Sequence, residues 1–233
     1  MQMFTILDAV ALAGFVAAWV GYAIVIEWTP HGRHGLNRRM DHYRATWMQR
    51  MLAREVRMVD TQIMASLQNG TAFFASTSLL AVGGALTLIR STDEVLSVIA
   101  QLPLGIPVTR GLWEAKIIGL VILLAYAFFN FSWSSRLYNY VAIMVGATPF
   151  PSEKDTPQAQ AHVLRTAGLF ESAGRHFNRG QRAFFLALGY LGWFVGPLAL
   201  ILTTVLVLVA LWRRQFGSDA LRALTSELDS PKP

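Results

Sequence analysis

Four apolar runs, residues 4–26, 71–89, 112–131 and 183–212, constrain this chain more than any other feature. A helix needs about 20 apolar residues to cross a hydrocarbon core, and each run meets that length. Composition agrees: 54% of the residues are hydrophobic, 15% are charged and the mean hydropathy is +0.41, too apolar for a water-soluble domain. The fold class expected is an all-α integral membrane four-helix bundle, one membrane domain over residues 1–217 with a polar tail over 218–233. The fourth run is overlong, so it is expected to tilt, to kink near Pro197 or to begin within the interface. Trp19, Tyr22, Trp28, Trp113, Trp133 and Trp212 mark the run ends, where aromatic rings prefer the headgroup level. The opening Met1-Gln2-Met3-Phe4 lacks a basic n-region, so the first run reads as a retained span.

Orientation follows from the bases. Arg33, Arg38, Arg39, Arg44, Arg50, Arg54 and Arg57 lie between the first two spans, and Arg136, Lys154, Arg165, Arg175, Arg179 and Arg182 between the last two. The other seven fall outside these connections, which sets thirteen against seven. The positive-inside rule then places both long connections in the cytoplasm and both termini in the periplasm of a bacterial inner membrane. Arg213 and Arg214 run against that assignment. The net charge of +6 reports topology and anionic lipid before it reports nucleic acid.

The long connections are themselves helical in pattern. From Leu36, the residues Met40, Tyr43, Trp47, Met51 and Met58 recur on one face, predicting a cytoplasmic helix over 34–69 that runs into the second span. Asp155-Thr156-Pro157 opens a second one over 156–178, with Val163, Ala167, Phe170, Gly174 and Phe177 on one face, expected to pack on the first helix or on the membrane. Ser91-Thr92-Asp93-Glu94 starts a short external helix with Val95, Leu96, Val98, Ile99 and Leu102 on its apolar side, ended by Pro103 and Pro107. Asn130 and Ser134 stand one turn apart and are expected to bond a neighbouring helix. Small-residue faces at Gly14, Ala18 and Gly21, at Gly83 and Gly84, and at Gly192 and Gly196 are expected to let backbones approach closely.

The second span also carries a polar line. Gln62, Ser66, Asn69, Phe73, Ser76 or Thr77, Leu80, Gly84 and Thr87 advance by threes and fours, so they share one helix face. That face either packs or, around a symmetry axis, lines a water-filled path. Arg39, Arg50 and Arg57 share another face, either solvated or turned to lipid headgroups and anions.

Several residues together resemble the domain of unknown function 599 family of membrane proteins. They are Arg54-x-x-Arg57-x-x-Asp60 leading into Phe73-Phe74-Ala75-Ser76-Thr77-Ser78, then Arg136-x-x-Asn139 before Pro149. The likeness continues in Phe177-x-x-Gly180-x-Arg182-Ala183-Phe184-Phe185 and in Trp193-Phe194-x-Gly196-Pro197, and extends over roughly residues 5–217; Gln181 and Phe185 depart from the pattern. The resemblance implies a four-span helical protein found in bacteria and plants, with no established activity and no functional residues to carry over.

Chemistry is sparsely represented. The chain has no Cys, so thiolate metal sites, disulfides and thiol nucleophiles are excluded. His31 and His34 sit in a Pro/Gly turn without a carboxylate pair, and no nucleophile elbow, zinc-protease helix, Walker loop or dinucleotide fingerprint occurs. Asp8, Glu27 and Glu114 fall near span ends and form no intramembrane carboxylate pair. The expectation is a protein that is not an enzyme and holds no metal or cofactor. It is read as a homo-oligomeric channel-like or transport-related assembly in contact with membrane lipids. The alternatives are an accessory or scaffold subunit that docks a larger membrane complex through its Met/Trp-rich face, and a lipid-binding protein.

Overall fold

The computed structural model describes residues 5–101 and 109–226, all of them in helices and short connections. The helices are α1 (Ile6–Trp28), α2 (Leu36–Leu52), α3 (Met58–Arg90), α4 (Thr92–Gln101), α5 (Arg110–Gly146), α6 (Pro157–Tyr190), the single turn α7 (Gly192–Val195), α8 (Pro197–Phe216) and α9 (Asp219–Ser226). Side-chain caps start several of them where the sequence supplies an oxygen. Thr5 accepts from the Asp8 amide at 3.1 Å and Asp8 returns the bond, and Thr156 accepts from the Ala159 amide at 3.2 Å ahead of Pro157 in the first turn. Among the described residues, four segments are long and apolar enough to cross a membrane: α1, α3, α5 and Pro197–Thr225. The all-α membrane bundle expected from the apolar runs is the fold observed. α4 takes the short helix after the second span; Leu102, Pro103 and Pro107, the start of the first run and the end of the tail lie outside the described residues.

An antiparallel pair, α5 and α6, forms the spine. Its register is fixed by polar pins and small residues. His162 meets the Met144 carbonyl at 2.9 Å, and Ser134 Oγ donates to the Ala173 carbonyl at 2.8 Å. Asn130 meets His176 at 3.2 Å, so Asn130 and Ser134 do bond a neighbouring helix. Gly180 admits the Phe131 ring and Gly119 the Tyr190 hydroxyl, since a Cβ at position 180 would fall 2.8 Å from the Phe131 ring and one at 119 would overlap the Tyr190 hydroxyl. α3 lies along one flank of α5, α2 packs on the first half of α6, and α1 and α8 cover the second half. Outside the apolar segments, Met48, Met51, Met64, Tyr138, Val141, Val163 and Phe170 form a core of their own. The two amphipathic connections therefore pack on each other, as expected.

Two expectations are corrected. The first is the continuous helix over 34–69, which is broken at Ala53–Arg57 between α2 and α3. Asp60, 0% exposed, staples the break by accepting from Trp47 Nε1 and from an Arg54 guanidinium nitrogen, each at 2.5 Å. The second is the run over 183–212, which is not one tilted or kinked span: the chain reverses at Gly196-Pro197. α8 returns antiparallel to α6, with Thr203 Oγ1 donating to the Gly189 carbonyl at 2.6 Å and Gly192 in close contact with Ala199 and Thr203. Residues 180–195 thus occupy the depth of the apolar part of α5 and residues 197–216 come back down. The small-residue approach holds at Gly192, and Gly189 adds a second close approach, whereas Gly14, Gly21, Gly83, Gly84 and Gly196 meet nothing within 4 Å.

The reversal also corrects the placement of the termini. Trp193 Nε1 donates to Asp8 at 2.8 Å at one end of the bundle, while Gln215 sits against Gly35 at the other. The two ends of the described chain therefore lie at opposite ends of the bundle. Arg213, Arg214 and Arg222 join the basic connections, so sixteen bases stand there against Arg90, Arg110 and Lys116, with Lys232 outside the described residues.

Breaking a helix inside a bundle strands carbonyls. α7 ends at Val195, and the Trp193 carbonyl is met by Lys116 Nζ at 2.6 Å, with Lys116 only 2% exposed and its ammonium 5.4 Å from the Trp193 ring centroid. Lys116→Met fills the same space without a donor, and it is expected to cost about 1–3 kcal/mol. Thermal unfolding in detergent checks this; an unchanged midpoint contradicts the role assigned to Lys116.

Candidate functional site

α3 carries two faces of heptad spacing. Its inner face, Met64, Thr71, Ser78 and Ala85, is buried against α5. The hydroxyls of Thr71 and Ser78 are satisfied within α3, each donating at 2.8 Å to the carbonyl four residues back, at Leu67 and Phe74. That lets them sit in an apolar seam, and their small volume draws α3 close to α5.

The opposite face is the polar line. Gln62, Ser66, Asn69, Phe73, Ser76, Leu80, Gly83 and Thr87 repeat at alternating steps of four and three, and all eight are exposed. Phe73 and Leu80 are 66% and 76% exposed, among the most open large side chains of the helix. Of the two alternatives read for Ser76 and Thr77, Ser76 belongs to the stripe, and Thr77 lies beside it, half-buried, donating to the Phe73 carbonyl at 2.8 Å. Gly84 lies beside Gly83 and is equally open. The structure therefore brings Gln62, Ser66, Asn69 and Ser76 of the predicted pore or helix-interface residues together on one face, with Thr77 and Gly84 beside it, and no other part of the described chain covers that face.

The predicted Arg face is not formed. Arg39 and Arg50 are on α2, while Arg57 stands beyond the break, where its guanidinium donates to the Thr148 and Pro149 carbonyls at 2.9 and 2.6 Å. Arg57 closes the open carbonyls at the end of α5 and is not turned to lipid or anions. Trp47 and Met51, the centre of the face read as a docking surface, are packed in the extramembrane core.

Sequence reading placed Asp8 near a span end; the structure buries it, together with Lys116, around Trp193. It also missed an acid–base cluster at the basic end, where Glu27 accepts from Arg179 at 2.5 Å and from Arg182. The only signal was Glu27 itself, a carboxylate at the end of an apolar run, which calls for a cationic partner.

The fold and the open face define a helical membrane protein with an unpartnered small-polar stripe. The family model described as "Protein of unknown function, DUF599" matches residues 10–220, and the chain belongs to that family. Comparison with curated proteins and with solved structures gives no match.

The two faces of α3 predict opposite outcomes for one substitution type. Ser78→Leu overfills the seam with α5 and is expected to lower stability by about 1–3 kcal/mol. Ser76→Leu, two residues away on the open face, is expected to leave the stability of the single chain within about 0.5 kcal/mol. Denaturation of both variants in detergent, under conditions that keep the chain monomeric, distinguishes the faces.

Proposed function

We infer that this protein works as a homo-oligomer in which the α3 helices surround a common axis, forming a channel-like or transport-related path for small polar or ionic solutes. One observation carries the reading: eight exposed residues, five of them polar, repeat at heptad spacing along a membrane-crossing helix whose one extensive partner, α5, lies on the other side. Gln62, Ser66 and Asn69 lead from the extramembrane level into the apolar run, where Ser76 and Thr87 continue the stripe, Thr87 bonding the Gly83 carbonyl at 3.0 Å; a second helix or water would meet the stripe along its length. Alternating steps of four and three are the spacing of a left-handed helix crossing, so copies of α3 can meet along the whole stripe. The α1 stripe at Gly14 and Gly21 is also open but contains only small apolar residues, so it gives water nothing to bond.

The basic end faces the cytoplasm in this reading, and the Thr5 end faces the opposite side, consistent with sixteen bases against three. The protein acts by assembly and passage, without covalent catalysis. The accessory-subunit reading keeps a smaller apolar face, since Trp47 and Met51 are packed within the chain while Met40, Tyr43 and Met58 are exposed.

The absence of native cysteine allows a clean test. Single Ser66→Cys and Ser76→Cys variants in membranes are expected to form disulfide-linked dimers under mild oxidation. An Ile122→Cys control, on an exposed side of α5, is expected to remain monomeric. Monomeric α3 variants alongside a cross-linked Ile122→Cys would overturn the arrangement.

A further inference from the structure

A cavity of about 390 Å³ opens at the basic end where α1 and α8 finish. Its charged lining is Arg38 from α2, Arg175, Arg179 and Arg182 from α6, and the carboxylates Glu27 and Asp41. Four guanidiniums against two carboxylates leave two positive charges. The nearest outer charges offset one another, because Arg44 pairs with Asp41 at 2.6 Å and Glu171 with Arg175 at 3.6 Å. Glu27 engages Arg179 and Arg182, so these two are held rigidly in place. Arg38 is 3.9 Å from Asp41, too long for a hydrogen bond, and its side chain is 59% exposed.

Gln215 supplies an independent sign of a ligand. It lines the cavity, is only 7% exposed, and its Nε2 has no hydrogen-bond partner. A buried amide donor left unpaired costs free energy, and a bound acceptor removes that cost. Asn37 and Asn178 add further amides to the same wall. Donors converging from three helices suit a group with several acceptor oxygens, and guanidiniums in particular match phosphate.

The cavity continues into a narrower crevice of about 90 Å³, which shares Asn37, Asn178, Arg182 and Gln215 with it. The crevice is walled by Tyr22, Phe185 and Leu211, and so runs down between α1, α6 and α8 toward the apolar part of the bundle. Trp28, 83% exposed at the end of α1, marks the headgroup level beside the opening. The crevice also carries Gln181 and Arg214 and, at about 90 Å³, is too small for an acyl chain, so the apolar part of a ligand held in the chamber lies outside it, beside Trp28 at the opening. We propose that this cleft binds a phosphate group, that of an anionic phospholipid whose acyl chains stay in the bilayer beside Trp28. The site is separate from the α3 stripe and does not depend on the oligomer.

The test uses purified full-length protein and three probes in native mass spectrometry. Dioleoyl phosphatidic acid has phosphate and chains, dioleoylglycerol lacks the phosphate, and glycerol 3-phosphate lacks the chains. Phosphatidic acid is expected to bind about tenfold or more tightly than either of the others. Arg38→Gln combined with Arg175→Gln is expected to weaken phosphatidic acid binding by about tenfold without moving the unfolding temperature, since both side chains are substantially exposed. Gln215→Leu, which keeps the volume and removes the amide, is expected to weaken it independently. Glycerol 3-phosphate binding as tightly as phosphatidic acid supports the phosphate site and overturns the lipid as its source. Equal binding of dioleoylglycerol, or full binding by the double Arg variant, overturns the proposal.

Discussion

Hydrocarbon cannot solvate a peptide group, and the architecture of this protein follows from where it satisfies that demand. Unbroken helices meet it automatically. At the α7–α8 reversal they cannot, and the chain brings in side chains to replace what the helix loses. Lys116 takes the Trp193 carbonyl, Thr203 takes the Gly189 carbonyl, and Asp8 fixes the Trp193 indole. Groups from α1, α5 and α8 thus converge on one turn, and the packing of those helices is coupled to it. The glycines at 189 and 192 matter for the same reason, since they let the returning α8 come close enough to bond.

The reversal settles which end of the molecule is charged. It carries Arg213, Arg214 and Arg222 to the end where α2 and the first half of α6 already concentrate their bases. The tension noted at Arg213 and Arg214 disappears because the last apolar stretch is entered from the far side. The basic end then has two distinct uses for its arginines. Some, such as Arg54 and Arg57, hold the chain's own turns together at Asp60 and at the end of α5. Others, around Glu27, line a cavity.

Much of this was legible in the sequence, and the limits have physical causes. Apolar length announced α1, α3 and α5, and Thr156-Pro157 announced the start of α6. The polar line on α3 was legible because helix periodicity needs no tertiary information. The α2–α3 break was hidden: Ala53-Arg54-Glu55-Val56-Arg57 contains neither Gly nor Pro, and the turn is held by contacts to Trp47, Asp60, Thr148 and Pro149. The α6–α8 reversal was half visible. Gly196-Pro197 signalled an interruption, but residues 183–195 are apolar throughout and read as one run with 197–212. The run's length, which at about 1.5 Å per residue exceeds one bilayer core, fits a tilt, a kink or a reversal equally well, and only the contacts between α6 and α8 choose the reversal. The burial of Lys116 was not legible, because a lysine near a run end ordinarily extends to the headgroups, and only the reversal gives it a buried acceptor.

α3 is the element through which this account reaches function. It is anchored on one side by a seam of small residues whose hydroxyls are internally satisfied, and its other side presents polar groups at the same period with nothing from the chain against them. The most direct measurement is electron cryomicroscopy of the full-length protein in lipid nanodiscs. The account predicts several copies around an axis, with Ser66, Asn69, Ser76 and Gly83 of each facing that axis. A single copy, or an oligomer in which those residues face lipid, would contradict it.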